Sequence, residues 1–142
     1  MDDAEQPFDP AANGWATVED DGFIGMIGPF WRRKGDESGR LGFLAEPRHK
    51  NMRGVVQGGM LMSFLDRTLG SHARHVNRGM PQATAQLNVS FLDAVRIGEF
   101  AEAMPHIERI GRSLIFISGS ISVGSRLVAT AQGIWKYNVP DA

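Results

Sequence analysis

One stretch does most to decide what this chain can become. GGMLMSFLDRTLGSHARHV, residues 58–76, is one long apolar segment with helical spacing. At 100° per residue Leu61, Met62, Leu65, Leu69, Ala73 and Val76 share one broad face, with Arg67, Ser71 and Arg74 roughly opposite. NRGMP (77–81) supplies the Asn, Gly and Pro that end a helix. A helix apolar around so much of its girth has to be deeply embedded. Beyond it the period switches to two. In TAQLNVSFL (84–92), Leu87, Val89 and Phe91 alternate with Gln86, Asn88 and Ser90. A weaker strand is expected over 99–110, where Pro105 argues for a bulge or an edge. Two more cover 113–123 and 126–139, joined by the short turn GSR (124–126) of an antiparallel hairpin. No crossover helices separate these strands, so a doubly wound parallel sheet is excluded. The fold class is α+β: an antiparallel sheet with a single helix packed on one face.

Ahead of the helix, GFIGMIGPFWRR (22–33) reads as a strand interrupted by glycine and Pro29. KGDESG (34–39) reads as a turn, and RLGFLAEP (40–47) as a second short strand pairing with the first. A polar, basic loop, RHKNMRGVVQ (48–57), leads into the helix. Residues 1–20 have few apolar anchors and read as a loosely ordered arm or short helix, leaving 21–139 as a single domain. A net charge of -1 leaves no basic excess for a phosphate backbone, so nucleic acid is not an expected partner. No apolar run approaches membrane-spanning length, and the acidic start MDDAEQPFDP is unlike a signal peptide. With no cysteine there are no disulfides, thiolate nucleophiles or Cys-ligated zinc, which fits a cytoplasmic protein.

The start of the helix is chemically odd. Gly58 and Gly59 are costly helix residues, placed where unpaired backbone N–H groups and the positive end of the macrodipole emerge. Glycine there lets a ligand approach those N–H groups, which suits a polarised carbonyl or an oxyanion; the bland alternative is close packing or a turn. Asp66, two turns on, projects at the border of the apolar stripe beside Met62, Leu69 and Ala73. It is either a surface residue pairing with Arg67 or Arg74, or a general base or nucleophile tuned by partial desolvation. His72 falls inside the stripe, where a lone histidine is more often a packing residue. The four histidines, 49, 72, 75 and 106, lack a convincing ligand set, so no metal is expected.

The pattern Asn-x-x-Gly-x-x-[His/Gln]-Gly-Gly followed by an apolar helix bearing Asp resembles the hotdog-fold acyl-CoA thioesterases, in particular the phenylacetate-pathway (PaaI-like) branch. The matching residues are Asn51, Gly54, Gln57, Gly58, Gly59 and Asp66. ATAQLNVSFLDAVRIGE (83–99), with Thr84 where the family usually has Thr or Ser, and RIGRSLIFISGSI (109–121) extend the similarity over about 22–139. The resemblance implies a hotdog fold, an antiparallel sheet wrapped around one long central helix. It further implies hydrolysis of an aryl- or medium-chain acyl-CoA, coenzyme A being part of the substrate and no separate cofactor being needed. Asp66 would act as general base or nucleophile, and the Gly58 N–H would polarise the carbonyl. Asn51 would position water or carboxylate, Thr84 would hydrogen-bond near Asp66, and Gly59 would lie against substrate. In this family the glycine loop and the aspartate come from opposite subunits, so a homodimer is implied, commonly paired into a tetramer. Gln57 departs from the usual His, and glutamine cannot gain a charge near neutral pH. For the phosphates of CoA, Arg112 with Ser113 is the best candidate, ahead of Arg109 and Lys50. The competing reading is a non-catalytic acyl-CoA or acyl-carrier binding module; a hotdog dehydratase is weaker, since no His-and-carboxylate pair is placed for proton abstraction and return.

Overall fold

A computed structural model describes residues 6–138. Seven strands form one antiparallel sheet in the order β1-β2-β3-β5-β6-β7-β4. They are β1 (Trp15–Val18), β2 (Phe30–Arg33), β3 (Leu41–Leu44), β4 (Gln82–Phe91), β5 (Phe100–Ile110), β6 (Leu114–Val123) and β7 (Arg126–Tyr137). Two helices interrupt them, the short α1 (Phe23–Ile27) and the long α2 (Gly58–Val76). Among the described residues no helix is long and apolar enough to cross a membrane.

Helix α2 has the expected bounds, and its buried face includes Phe64 and Thr68, which the stripe read from sequence left out. Met62, placed in that stripe, is instead 38% exposed. Phe64 is enclosed by the rings of Phe30 and Phe43, at centroid distances of 5.1 and 4.7 Å. Thr68 is tolerated in the core because its hydroxyl donates back to the Phe64 carbonyl at 2.7 Å. Opposite the helix the sheet is shaved to let it approach: a Cβ at Gly119 would stand 2.6 Å from a Leu69 methyl.

Ahead of α2 one expectation, a loosely ordered arm or short helix, is met only in part, and another fails. The arm is folded from Ala11 onward, first as a 3₁₀ turn and then as β1, whose Trp15 is 3% exposed. Trp15 packs edge-on to Phe100 at 5.0 Å and lies under the Arg33 guanidinium, so one aromatic anchor secures a four-residue strand. Residues 1–5 of that arm and 139 of the domain lie outside the described residues. The strand expected over 22–33 begins only at Phe30, because its first half is α1. Asp20 explains the switch: its Oδ1 accepts the Gly22 and Gly25 N–H groups at 2.8 and 3.3 Å, nucleating a turn of helix. Pro105 sits within β5 beyond the end of β3, facing a neighbour only on the β6 side.

Candidate functional site

Gln57 caps α2 in an extended conformation (φ -59°, ψ 136°), and its carboxamide makes no cap bond. The N–H groups of Met60 and Leu61 both return to its carbonyl, at 3.0 and 3.3 Å. That leaves the Gly58 and Gly59 N–H groups with no acceptor among the described residues. A Cβ at Gly58 would meet only the Phe91 ring, no closer than 3.4 Å, and one at Gly59 only Gln57 at 3.9 Å. Neither glycine has positive φ. Packing and turn geometry within this chain therefore do not require glycine here; its effect is to leave two N–H groups uncovered.

The loop before α2 is built around Asn51 and His49. Asn51 Oδ1 accepts the N–H groups of Arg53 (2.8 Å) and Val55 (3.3 Å), so its oxygen holds the loop and only its amide nitrogen is free to face a ligand. His49 is buried, with Nδ1 accepting the Glu46 N–H at 3.0 Å. Its proton therefore sits on Nε2, 2.7 Å from the Ile27 carbonyl. Burial holds this imidazole below its ordinary range, against the opposing hydrogen bond to Ile27. Asn51, Gln57 and Gly59 open onto a cleft of about 860 Å³.

Asp66 lies elsewhere. Thr84 Oγ1 donates to its Oδ1 at 2.7 Å, a charge-assisted bond that joins α2 to the start of β4. A bulge makes this possible. Alternation counted back from Leu87 turns Thr84 outward with Gln86, but the register shifts between Thr84 and Gln86, and the extra residue, Ala85, returns Thr84 to the helix side. Asp66 is exposed and forms no ion pair among the described residues. Arg67 bonds Asp20 instead, at 2.8 Å. Asp66, Thr84, Asp20 and Arg67 line a second cleft of about 740 Å³ that shares no residue with the first. Eight residues along α2, roughly 12 Å, separate Gly58 from Asp66.

Thus Asn51, Gln57 and the glycines gather at one end of α2 and Asp66 with Thr84 further along, while Arg112 and Ser113 join neither group. They are exposed in the β5–β6 turn, where the Ser113 carbonyl accepts the Tyr137 N–H at 2.9 Å, and they line neither cleft. Arg109 is exposed on β5 and also apart from both. His72 packs against Gly39, whose Cβ would fall 2.5 Å from its Nδ1, which accounts for it as a packing residue. Among the described residues no three of His, Asp and Glu converge on a common point. Sequence reasoning missed Asp20 beside Asp66 and Phe91 beside Gly58. The Asp-Asp-Gly before Phe23 was a cap signal, masked by reading that segment as a strand.

An antiparallel sheet with one long helix packed against it is the hotdog architecture of thioesterases. Residues 53–132 match the sequence model of the Thioesterase superfamily, and the chain belongs to that family. A protein of Pseudomonas aeruginosa provisionally named an esterase (PA0474) is 30% identical over 79% of this chain and 85% of its own. Acyl-coenzyme A thioesterase 13 of Mus musculus is 26% identical over 62% of this chain and 63% of its own. Among solved structures, a phenylacetic acid degradation-related protein of Ralstonia eutropha superposes with a TM-score of 0.65 at 26% identity, covering 94% of this chain and 93% of that one.

Proposed function

We propose that this protein is an acyl-CoA thioesterase, hydrolysing an aryl- or medium-chain acyl thioester to free acid and CoA at sites shared between two subunits of a homodimer. The observation that carries the reading is the placement of the two half-sites over opposite ends of one edge strand. Thr84, bonded to Asp66, opens β4, whereas Phe91, beside Gly58, closes it. β4 is an edge of the sheet, ten residues long, with no charge and no proline to discourage pairing. Antiparallel pairing of two β4 strands about a two-fold axis reverses their ends. The Asp66–Thr84 pair of one subunit then comes over the Gly58 end of the other, which neither chain achieves alone.

At such a site the thioester oxygen accepts the Gly58 N–H, with the helix dipole favouring the charge that develops there. Asp66 of the second subunit takes a proton from water as the water oxygen attacks the carbonyl carbon. Collapse of the intermediate breaks the C–S bond, and CoA leaves as thiolate. The alternative is direct attack by the Asp66 carboxylate, giving an anhydride that water then cleaves. Gln57 and the Asn51 amide nitrogen orient the substrate from the first cleft, and Thr84 holds the carboxylate. Phe91 and Leu92, 50% and 57% exposed, with Met62, offer apolar surface to the acyl group on the pairing edge. Pairing of dimers into a tetramer belongs to the same proposal.

A binding module without turnover is the second reading, favoured by one feature: Gln57, where the resemblance places His, cannot carry charge. A thiol-release assay over a panel of acyl-CoA esters, wild type against Asp66→Ala, separates the two. Hydrolysis that falls at least about a hundredfold in the variant supports catalysis by Asp66. Equal rates would end that assignment, and no turnover on any thioester would favour the binding module.

A further inference from the structure

The cleft at the glycine end of α2 has an uneven charge. Its lining includes Arg48, Lys50 and Arg53 and no carboxylate, in a chain whose net charge is -1. Arg48 is committed to the fold: its Nε bonds Glu46 at 3.0 Å, and its other nitrogens donate to the carbonyls of Met26 and Gly28, tying α1 to the loop. Lys50 and Arg53 are different. Both are exposed, and neither side chain forms an ion pair or hydrogen bond among the described residues.

The backbone that carries these two cations is nevertheless held in place. The Arg53 N–H is bonded to Asn51 Oδ1, the Asn51 N–H to the Val55 carbonyl at 2.7 Å, and Lys50 bridges Val56 across the loop. A fixed loop that presents two unpartnered cations gains no stability from them, and their mutual repulsion is a small cost. They stand on the rim of a cleft walled by Phe23 and Ile27 of α1 and by Met60 of α2, a few residues ahead of the uncovered glycine N–H groups. The cleft thus combines an apolar wall, hydrogen-bond donors at its inner edge and a cationic rim.

We propose that Lys50 and Arg53 form the subsite for the phosphates of CoA, with the apolar wall taking the pantetheine arm between phosphates and thioester. The inference rests on the acyl-CoA reading above. It adds a phosphate site at the mouth of the glycine-end cleft, distinct from the Arg112 turn. A guanidinium offers paired donors to a phosphate and an ammonium a mobile point charge, so the two together suit a substrate bearing several phosphate oxygens.

The test pairs binding with turnover in wild type and the double variant Lys50→Ala/Arg53→Ala. Calorimetry with free CoA should show affinity falling roughly tenfold for each cation removed, with a weaker dependence on salt in the variant. In kinetics, the rise in KM should fall on an acyl-CoA at least about ten times more heavily than on the same acyl group carried by N-acetylcysteamine, which has no phosphate. Unchanged CoA affinity would overturn the proposal, as would equal losses on both thioesters. So would a larger loss on a cysteamine thioester whose acyl chain ends in a carboxylate, since the cations would then read the acyl group. Should wild type bind CoA through these cations yet hydrolyse no thioester, the subsite stands and the thioesterase reading falls.

Discussion

Asp66 is exposed on its own chain and braced from one side only, by the Thr84 hydroxyl at 2.7 Å. A carboxylate at the end of a rotatable side chain aims at a reacting water only if something fixes its plane. Replacing Thr84 with Val keeps the shape and removes the bond, so the carboxylate becomes free to turn. Steady-state kinetics should then show kcat reduced about tenfold, the effect of losing one charge-assisted hydrogen bond, with KM changed less than about twofold. A rise in KM at constant kcat would place Thr84 in substrate binding instead. Asp20 contributes on the same cleft by drawing away Arg67, so that Asp66 is not neutralised by its sequence neighbour. Hydrogen bonds from the Gly22 N–H and from Arg67 keep the Asp20 carboxyl below its usual range, and it stays ionised well into acid.

At the scale of elements, α2 is placed by the loop before it, and that loop depends on a neutral His49. Burial depresses its pKa below the ordinary 6.5, and His72 is shifted the same way by burial and by His75. A depressed histidine contributes stability that is fully present above about pH 6.5 and is lost as pH falls through 6.5 toward the folded value. Melting temperature should therefore drop between pH 7 and pH 5, and His49→Gln should show a shallower drop. A slope identical to wild type would contradict the role given to His49. Helix α2 and the strands after it were legible because their residues keep a period, 3.6 in the helix and 2 in the strands, over much of their length. β5 is the weakest, with Pro105 inside it, and the β4 alternation breaks at Ala85. The segment before α2 was not, because β1 is a four-residue strand held by one tryptophan and α1 is a five-residue helix started by one aspartate. Neither is long enough to have a period. The meeting of Thr84 with Asp66 was implied by the family pattern and contradicted by simple alternation, and one unpaired residue, Ala85, reconciles them. The phosphate subsite is proposed at cations other than Arg112 because cations look alike in sequence, and only the fold shows that Lys50 and Arg53 line the cleft at the glycine end while Arg112 does not.

For the whole molecule, a single chain holds the two proposed halves of the chemistry in clefts that share no lining residue, so on the proposed reading activity depends on assembly. On that reading the uncharged β4 edge is the pairing surface, and an axis that sets Thr84 of one chain opposite Phe91 of the other passes between Leu87 and Asn88. Asn88→Lys would set two like charges close together across the axis, which opposes edge pairing. Sedimentation should report a monomer, and thioesterase activity should vanish with it; a fully active monomer would overturn the shared site. The most direct measurement uses two inactive variants together. Asp66→Ala removes the carboxylate. Gly58→Pro removes the N–H at the first position of α2, where proline is favoured and where Gln57 already has the extended conformation that a following proline needs. Unfolded and refolded as an equal mixture, they form mixed dimers in which one site receives Gly58 from one chain and Asp66 from the other, while the second site has neither. With half the dimers mixed and one intact site in each, about a quarter of wild-type activity should return. A mixture no more active than either variant alone would mean that Gly58 and Asp66 do not act on one substrate across a subunit boundary.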